Sequence, residues 1–169
     1  VLETGEVSVG LRKLSDGVNL IATPAPNQSG GTYPASKLLD GLLPTDGWRS
    51  TWTAWLKVNP QLTFNLGKKR EMNKIRIYFQ PYERAAELKE VAVYIADEEM
   101  NFELLSTFPG GPGPVQQGKF TEFDMTGVTT QAIRLEPEYD GWGHMWGEVE
   151  FWVHDTGEFE APVYGLAPG

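Results

Sequence analysis

Short runs in which apolar and polar residues alternate constrain this chain more than any other feature of its sequence. Leu62, Phe64 and Leu66, for example, are separated by Thr63 and Asn65. The same alternation recurs in four further runs, whose apolar members are Ile75, Ile77 and Phe79; Val91, Val93 and Ile95; Ile133 and Leu135; and Val149, Phe151 and Val153. A two-residue period is typical of strands with one buried face, whereas an amphipathic helix repeats every 3.6 residues. The runs therefore predict an all-β domain, built as an antiparallel sandwich or a barrel.

Helical signals are scarce. Residues 34–41 (PASKLLDG) predict one or two turns of helix that end at Gly41. Residues 83–89 (ERAAELK) are rich in helix formers but lie between two alternating runs, so we expect a loop or a short turn there. Residues 67–69 (GKK) predict a turn after the first of the alternating runs.

The length of 169 residues is that of one domain. We expect the folded domain to span residues 17–155. Residues 1–16 are expected to form an N-terminal extension or a first strand, and residues 156–169 a C-terminal strand or a linker.

The composition disfavours several classes of protein. The chain has 14 Lys and Arg against 23 Asp and Glu, a net charge of −9, which argues against nucleic-acid binding because few cations can replace the phosphate counterions. The absence of Cys excludes a disulfide framework, thiolate zinc sites and cysteine nucleophiles. No apolar run reaches the length of about 18 residues that a membrane-spanning helix needs.

Sequence signatures of catalysis are missing. The two histidines, His144 and His154, do not have the i, i+4 spacing of a metal-binding pair, and the chain has no GxSxG, P-loop or dinucleotide-binding glycine pattern. Carboxylates are plentiful, but nothing in the sequence selects two of them as the pair of a glycosidase. We therefore predict a domain that is not an enzyme.

The tryptophans fall into groups with different expected roles. Trp48 and Trp55 are expected in the core, and Trp152, which alternates with the apolar residues of the last run, is expected to cover the sheet. Trp142 and Trp146 lie in a segment without alternation that we expect to be a loop.

This last loop, residues 139–146 (YDGWGHMW), combines aromatic rings with polar side chains and glycines. A sugar ring presents C–H groups to an aromatic face and hydroxyl groups to planar polar side chains, so this composition is typical of a sugar-binding loop. We predict Trp142 and Trp146 as stacking residues and Asp140 and His144 as polar contacts; His144 could equally be an ordinary surface histidine.

Several short segments occur in an order that carries a family resemblance. Residues 35–48 (ASKLLDGLLPTDGW) follow the strand-like segment 19–23 and fit the pattern A-S-x-x-x-D-G-x-x-x-T-x-W except for one extra residue before the final Trp. Farther along the chain come 64–67 (FNLG), 91–97 (VAVYIAD), 130–135 (TQAIRL) and 147–152 (GEVEFW). Together these segments resemble the discoidin-like fold of the C domains of coagulation factors V and VIII and of family 32 carbohydrate-binding modules.

The resemblance implies a fold and a function. The fold would be an antiparallel β-sandwich of jelly-roll topology, as in galactose-binding-like domains. The function would be that of a non-catalytic carbohydrate-binding module, secreted or on the cell surface, that targets a linked glycan-degrading enzyme to polysaccharide. The alternative within the same fold is an adhesion module for protein or phospholipid, which the charge of −9 disfavours because anionic lipid attracts basic surfaces.

The resemblance also implies a structural Ca²⁺ ion where the early loop meets the last strand. Ca²⁺ takes six to eight oxygen ligands. By position, the side-chain ligands would come from Asp40, Thr45 and Glu148. The carbonyl ligands would come from Lys37, Leu42, Thr45 and Gly147. The alternative is that Asp40 and Gly41 form a plain turn and that Glu148 is an exposed strand residue.

Further ligand contacts follow from the same resemblance. In the relatives, the last loop lies at the end of the sandwich that binds ligand. We expect other loops at that end to contribute Arg49, Trp52, Tyr82, Glu83 and Arg84.

Overall fold

The computed structural model of the chain describes residues 10–14, 17–27, 34–43, 53–81, 87–109, 120–140 and 143–154. Within these ranges the chain forms nine strands, one short 3₁₀ helix and no α-helix, which confirms the all-β prediction. The strands are β1 (Leu11–Lys13), β2 (Asn19–Thr23), β3 (Thr53–Leu56), β4 (Gln61–Pro81), β5 (Glu87–Ala96), β6 (Phe102–Pro109), β7 (Thr121–Asp124), β8 (Thr129–Asp140) and β9 (Gly143–His154), and the 3₁₀ helix is Ala35–Leu39. No helix in the described ranges is long and apolar enough to span a membrane.

The strands form two antiparallel sheets that share the long strand β4. Residues 61–71 of β4 belong to the first sheet, whose strand order is β2–β4–β8–β5–β6. Residues 72–81 belong to the second sheet, where β4 pairs with β9 and β7. The described strands are not closed into a barrel, so of the two predicted architectures the sandwich is confirmed.

The core lies between the two sheets and is made by the apolar members of the alternating runs. The rings of Phe64 in the first sheet and Phe151 in the second meet edge to face, with centroids 4.8 Å apart. Phe108 and Phe123 stack across the same interface at 4.8 Å. The buried residues predicted from the alternation are Leu62, Phe64, Leu66, Ile75, Ile77, Phe79, Val91, Val93, Ile133, Leu135, Val149, Phe151 and Val153.

The turn predicted at residues 67–69 is wrong. Strand β4 continues through this segment, with a shift in its pairing to β8 between Asn65 and Arg70. Gly67 has a φ of 88°, a conformation that glycine adopts at no steric penalty. The irregularity therefore acts as a bulge that bends β4 shortly before it passes from one sheet to the other.

Strand β6 is not among the predicted strands, for a physical reason. Its partly buried residues Phe102, Leu105 and Phe108 are three apart, because the pairing with β5 shifts between Val93 and Tyr94. A bulge of this kind destroys the two-residue period in the sequence.

The remaining local predictions have mixed outcomes. The short helix before Gly41 is confirmed. Strand β1 lies within residues 1–16, for which an N-terminal extension or a first strand was predicted. Residues 87–89, expected in a loop or turn, belong instead to β5, because they pair with the end of β8. Residues 82–86 and 155–169 lie outside the described residues, and the proposed domain boundaries stay a prediction.

Candidate functional site

The edge of β9 that faces away from β4 is only partly covered by strands. Strand β1 pairs with residues 152–154 of β9, and β3 pairs with residues 143–146. Among the described residues, no strand pairs with residues 147–151 on this edge. The segment that follows the 3₁₀ helix reaches into this gap, because the Gly41 N–H donates a hydrogen bond of 2.9 Å to the Glu148 carboxylate.

A β-bulge at Gly147 determines which side chains of β9 face the gap. Trp146 lies opposite Phe79, whereas Glu148 lies opposite Tyr78, so Gly147 is one extra residue in β9. The extra residue inverts the alternation. Trp146 is consequently buried in the core although it has the same parity as Glu148, which points to the outer side of the sheet.

Glu148 is a buried carboxylate with an incomplete set of partners. The side chain is 3% exposed, and its Oε2 accepts the hydrogen bond from Gly41. Its Oε1 has no hydrogen-bond partner among the described residues. Burial raises the pKa of Glu148 to about 8; the Gly41 hydrogen bond opposes this rise, and the neighbouring Asp40 carboxyl adds to it. A buried oxygen of this kind is unfavourable unless a donor or a cation satisfies it.

Asp40 stands at the C-terminal end of the 3₁₀ helix and closes a turn. Its Oδ1 accepts the Leu42 N–H at 2.8 Å, and its Oδ2 lies 3.4 Å from the Lys37 Nζ. Gly41 lies between Asp40 and Leu42 and has a φ of 77°, a conformation that favours glycine and brings the Gly41 N–H to Glu148. Asp40–Gly41 is therefore a turn, as the alternative to a calcium site predicted. That alternative also predicted an exposed Glu148, which is wrong because Glu148 is buried.

A cavity of about 120 Å³ lies beside the two carboxyl groups. Its lining includes Asp40, Gly41 and Glu148, together with Lys13 and Glu150. Lys13 and Glu150 are not among the site residues predicted from the sequence. Glu150 could have been found from the alternation of β9, which puts it on the same face as Glu148. Lys13 could have been found from the pairing of β1 beside β9.

The described residues fit a calcium ion in their chemistry. The described members of the predicted ligand set, Lys37, Asp40, Leu42, Gly147 and Glu148, come from the two segments that meet at the gap, and Thr45 lies outside the described residues. No group of three or more His, Cys, Asp or Glu side chains that could hold a metal occurs in the described part of the chain. Carboxylates and main-chain carbonyls are both oxygen ligands of the kind that Ca²⁺ takes. The unpartnered Glu148 Oε1 is an oxygen of this type.

The backbone brings two of the predicted ligand-binding connections to one end of the sandwich. Glu87 at the start of β5 pairs with Asp140 at the end of β8, and Pro81 at the end of β4 pairs with His144 near the start of β9. The β4–β5 and β8–β9 connections therefore leave the sheets side by side. The predicted residues Arg49, Trp52, Tyr82, Glu83, Arg84 and Trp142 lie outside the described residues.

The placement of Trp146 in the last loop is wrong. Strands β8 and β9 extend to Asp140 and from Gly143, so the loop is much shorter than expected. The Trp146 ring is fully buried, 6.2 Å from the ring of Phe79, and has no free face for a sugar. The cause is the bulge at Gly147, which turns this side chain inward.

Two other tryptophans lie where they were predicted. Trp55 is fully buried in the core, and its Nε1 donates to the Pro24 carbonyl at 2.8 Å. Trp152 is half-buried on the outer face of the second sheet, and its Nε1 donates to Glu150 at 2.9 Å. Trp48 lies outside the described residues.

Comparison with known proteins gives one family and many similar folds. Residues 22–151 match the family model of the F5/8 type C domain. Among curated protein sequences, no match was found for the chain.

Three solved structures illustrate the similarity in fold. The family 32 carbohydrate-binding module of Clostridium perfringens NanJ, in complex with galactose, is 15% identical with a TM-score of 0.58, over 84% of this chain and 98% of that one. The C. perfringens module CpGH89CBM32-5, in complex with GalNAc-β-1,3-galactose, is 17% identical with a TM-score of 0.60, over 83% and 99%. Chitosan-binding module 1 of a chitosanase/glucanase from Paenibacillus sp. IK-5 is 18% identical with a TM-score of 0.57, over 83% and 98%.

Proposed function

Because the chain belongs to the F5/8 type C domain family, we propose that it is a non-catalytic carbohydrate-binding module that holds a linked glycan-degrading enzyme on polysaccharide outside the cell. The observation that carries the proposal is the convergence of the β4–β5 and β8–β9 connections, which contain the predicted sugar contacts Tyr82, Glu83, Arg84 and Trp142 and are flanked by Asp140 and His144. Carbohydrate-binding modules among the proteins of similar fold support it.

The proposed mechanism is stacking combined with a few polar contacts. Trp142 supplies the aromatic face, since Trp146 is committed to the core. The polar and additional aromatic contacts come from Asp140, His144, Arg49, Trp52, Tyr82, Glu83 and Arg84. A small contact area of this kind gives weak affinity. Linkage to an enzyme makes weak affinity sufficient, because it raises the effective concentration of the enzyme at the substrate.

Calcium has a structural role in this proposal. Asp40, Thr45 and Glu148 supply side-chain oxygens, and Lys37, Leu42, Thr45 and Gly147 supply carbonyl oxygens. Bound Ca²⁺ would supply a positive charge between acids that otherwise repel each other. Its ligands belong to the early loop and to β9, so these two segments would be held together across the gap between β1 and β3.

Affinity electrophoresis in gels that contain neutral or acidic polysaccharides tests the binding function. We expect one class of polysaccharide to retard the protein, and Trp142→Ala to abolish the retardation. Trp152→Ala is the matched control, because it removes the same side chain from the face of the second sheet and should leave binding intact. Unchanged retardation of Trp142→Ala would contradict the stacking mechanism. Binding to anionic lipid vesicles alone would support the adhesion alternative, and release of sugar from the polysaccharide would contradict the non-catalytic assignment.

A further inference from the structure

Lys37 stands beside the proposed calcium site, in contact with Asp40. Lys37 lies in the middle of the 3₁₀ helix, and its side chain is only 14% exposed. Its Nζ is 3.4 Å from the Asp40 Oδ2. The other oxygen of this carboxylate, Oδ1, is engaged by the Leu42 N–H. The oxygen of Asp40 that is least committed to the turn is thus the one that faces an ammonium group.

We propose that Lys37 is an internal counter-cation of Asp40 that competes with the bound metal ion and thereby sets the affinity of the site. The inference rests on the calcium site of the proposed function. A divalent ion that binds Asp40 has to share or displace the ammonium, and two cations at one carboxylate repel each other. The backbone carbonyl of Lys37, proposed as a ligand, is unaffected by this competition.

In the protein without metal, the Lys37 ammonium stabilises the fold, whereas in the presence of metal it opposes metal binding. Asp40 and Glu148 line the same cavity, so their two carboxylates repel each other. Lys37 offsets part of this acid excess by its contact with Asp40. Removal of the ammonium should therefore weaken the metal-free fold and strengthen metal binding. A merely structural ion pair would affect the two forms equally.

Lys13 also lines the cavity, but its ion pair is with a different carboxylate. Its Nζ lies 3.8 Å from Glu150, whereas the Lys37 Nζ lies 3.4 Å from Asp40. The contact with Asp40 distinguishes Lys37.

The test uses Lys37→Met in the full chain. Calcium binding is measured by calorimetric titration, and thermal unfolding is measured in metal-free and in calcium-containing buffer. Met preserves the length and the apolar stem of the side chain while it removes the charge. We expect calcium to bind about tenfold more tightly than to the unmodified chain, which corresponds to one half-buried charge contact. The metal-free Tm should fall, and the rise in Tm on addition of calcium should become larger. Lys69→Met, which removes a lysine from an ion pair with Glu98 elsewhere on the surface, is the control and should change neither quantity.

The outcomes separate this inference from the function on which it rests. Equal calcium affinity of Lys37→Met and the unmodified chain would overturn the competition and leave the calcium site standing. An equal fall in Tm with and without calcium would do the same, because it indicates an ordinary ion pair. Failure of the unmodified chain and of the variant to bind calcium would overturn the calcium site itself. If Lys37→Met does not fold, Lys37→Gln serves in its place, and Lys37→Arg, which keeps the charge, should retain the low affinity.

Discussion

The two halves of strand β9, on either side of Gly147, follow different rules. From Glu148 to His154 the side chains alternate strictly: Val149, Phe151 and Val153 face the core, and the residues between them face outward. At Trp146 the alternation is inverted, because the bulge adds one residue opposite β4. A single inserted residue therefore decides whether a tryptophan is part of the core or part of the surface.

Two glutamates on the outer face of β9 show what this difference does to charge. Glu150 has a full set of partners: Arg76 at 3.1 Å and the Trp152 Nε1 at 2.9 Å on one oxygen, and Lys13 at 3.8 Å from the other. Glu148, beside the bulge, has the Gly41 N–H and an oxygen without a described partner. Glu150 is thus balanced within the sheet, whereas Glu148, next to the bulge residue Gly147, keeps one oxygen without a described partner.

The largest expected effect on the free energy of unfolding comes from removing the buried ring of Trp146, and it tests the inverted alternation. Trp146→Ala should lower the free energy of unfolding by about 3–5 kcal/mol, as expected for removal of a fully buried aromatic side chain. Trp152→Ala, on the half-buried outer face, should lower it by about 1 kcal/mol or less. Denaturant unfolding of both variants measures the difference. Similar losses in the two variants would contradict the assignment of Trp146 to the core.

Removal of calcium should have the next largest effect. With calcium about 100-fold above its Kd, binding adds about 2.7 kcal/mol to the free energy of unfolding, so metal depletion should lower the Tm by about 5–10 °C. Elemental analysis of the untreated protein measures the bound metal directly.

Two variants connect this calcium effect to the gap in β9. Glu148→Gln should abolish the difference in Tm between calcium-containing and metal-free buffer. Asp40→Asn should reduce it, while Asp124→Asn is the matched control, because Asp124 closes a similar turn by accepting the Thr126 N–H. An unmodified protein that contains no metal and shows no change in Tm would contradict the calcium site.

The pH dependence of the free energy of unfolding of the metal-free protein should reveal the titration of Glu148. The pKa of Glu148 is raised from 4.5 to about 8 by burial, so between these values the folded chain holds a proton that the unfolded chain has released. The contribution of Glu148 to stability is therefore fully present below about pH 4.5 and is lost as the pH rises towards 8, by at most about 1.4 kcal/mol per pH unit.

The measurement is the difference in unfolding free energy between the unmodified chain and Glu148→Gln across this pH range in metal-free buffer. The variant should gain stability relative to the unmodified chain as the pH rises. Parallel pH profiles of the two proteins would exclude Glu148 as the titrating group.

These contrasts also explain which parts of the structure are predictable from the sequence. The alternation of Leu62, Phe64 and Leu66 predicts a strand because each inward side chain is buried and each outward one is not. At Gly147 the same rule fails, since a bulge is decided by pairing with a distant strand and leaves no local mark except a glycine. The family resemblance predicted that Asp40 and Glu148 would meet, but the role of Lys37 depends on a side-chain position that no pattern in the sequence reveals.

The smallest expected effect concerns Glu150, the acid that the regular half of β9 already balances. Glu150→Gln keeps an oxygen that can accept from Arg76 and Trp152 but removes the charge that pairs with Arg76 and Lys13. Partly exposed ion pairs of this kind contribute about 1 kcal/mol or less, and salt screens them. Denaturant unfolding at low and high ionic strength should therefore give a loss of about 1 kcal/mol that shrinks in salt, with the response to calcium unchanged. A variant that also loses its calcium response would place Glu150 in the cation site, and the distinction between the two glutamates would then depend on their distance from the ion rather than on the bulge.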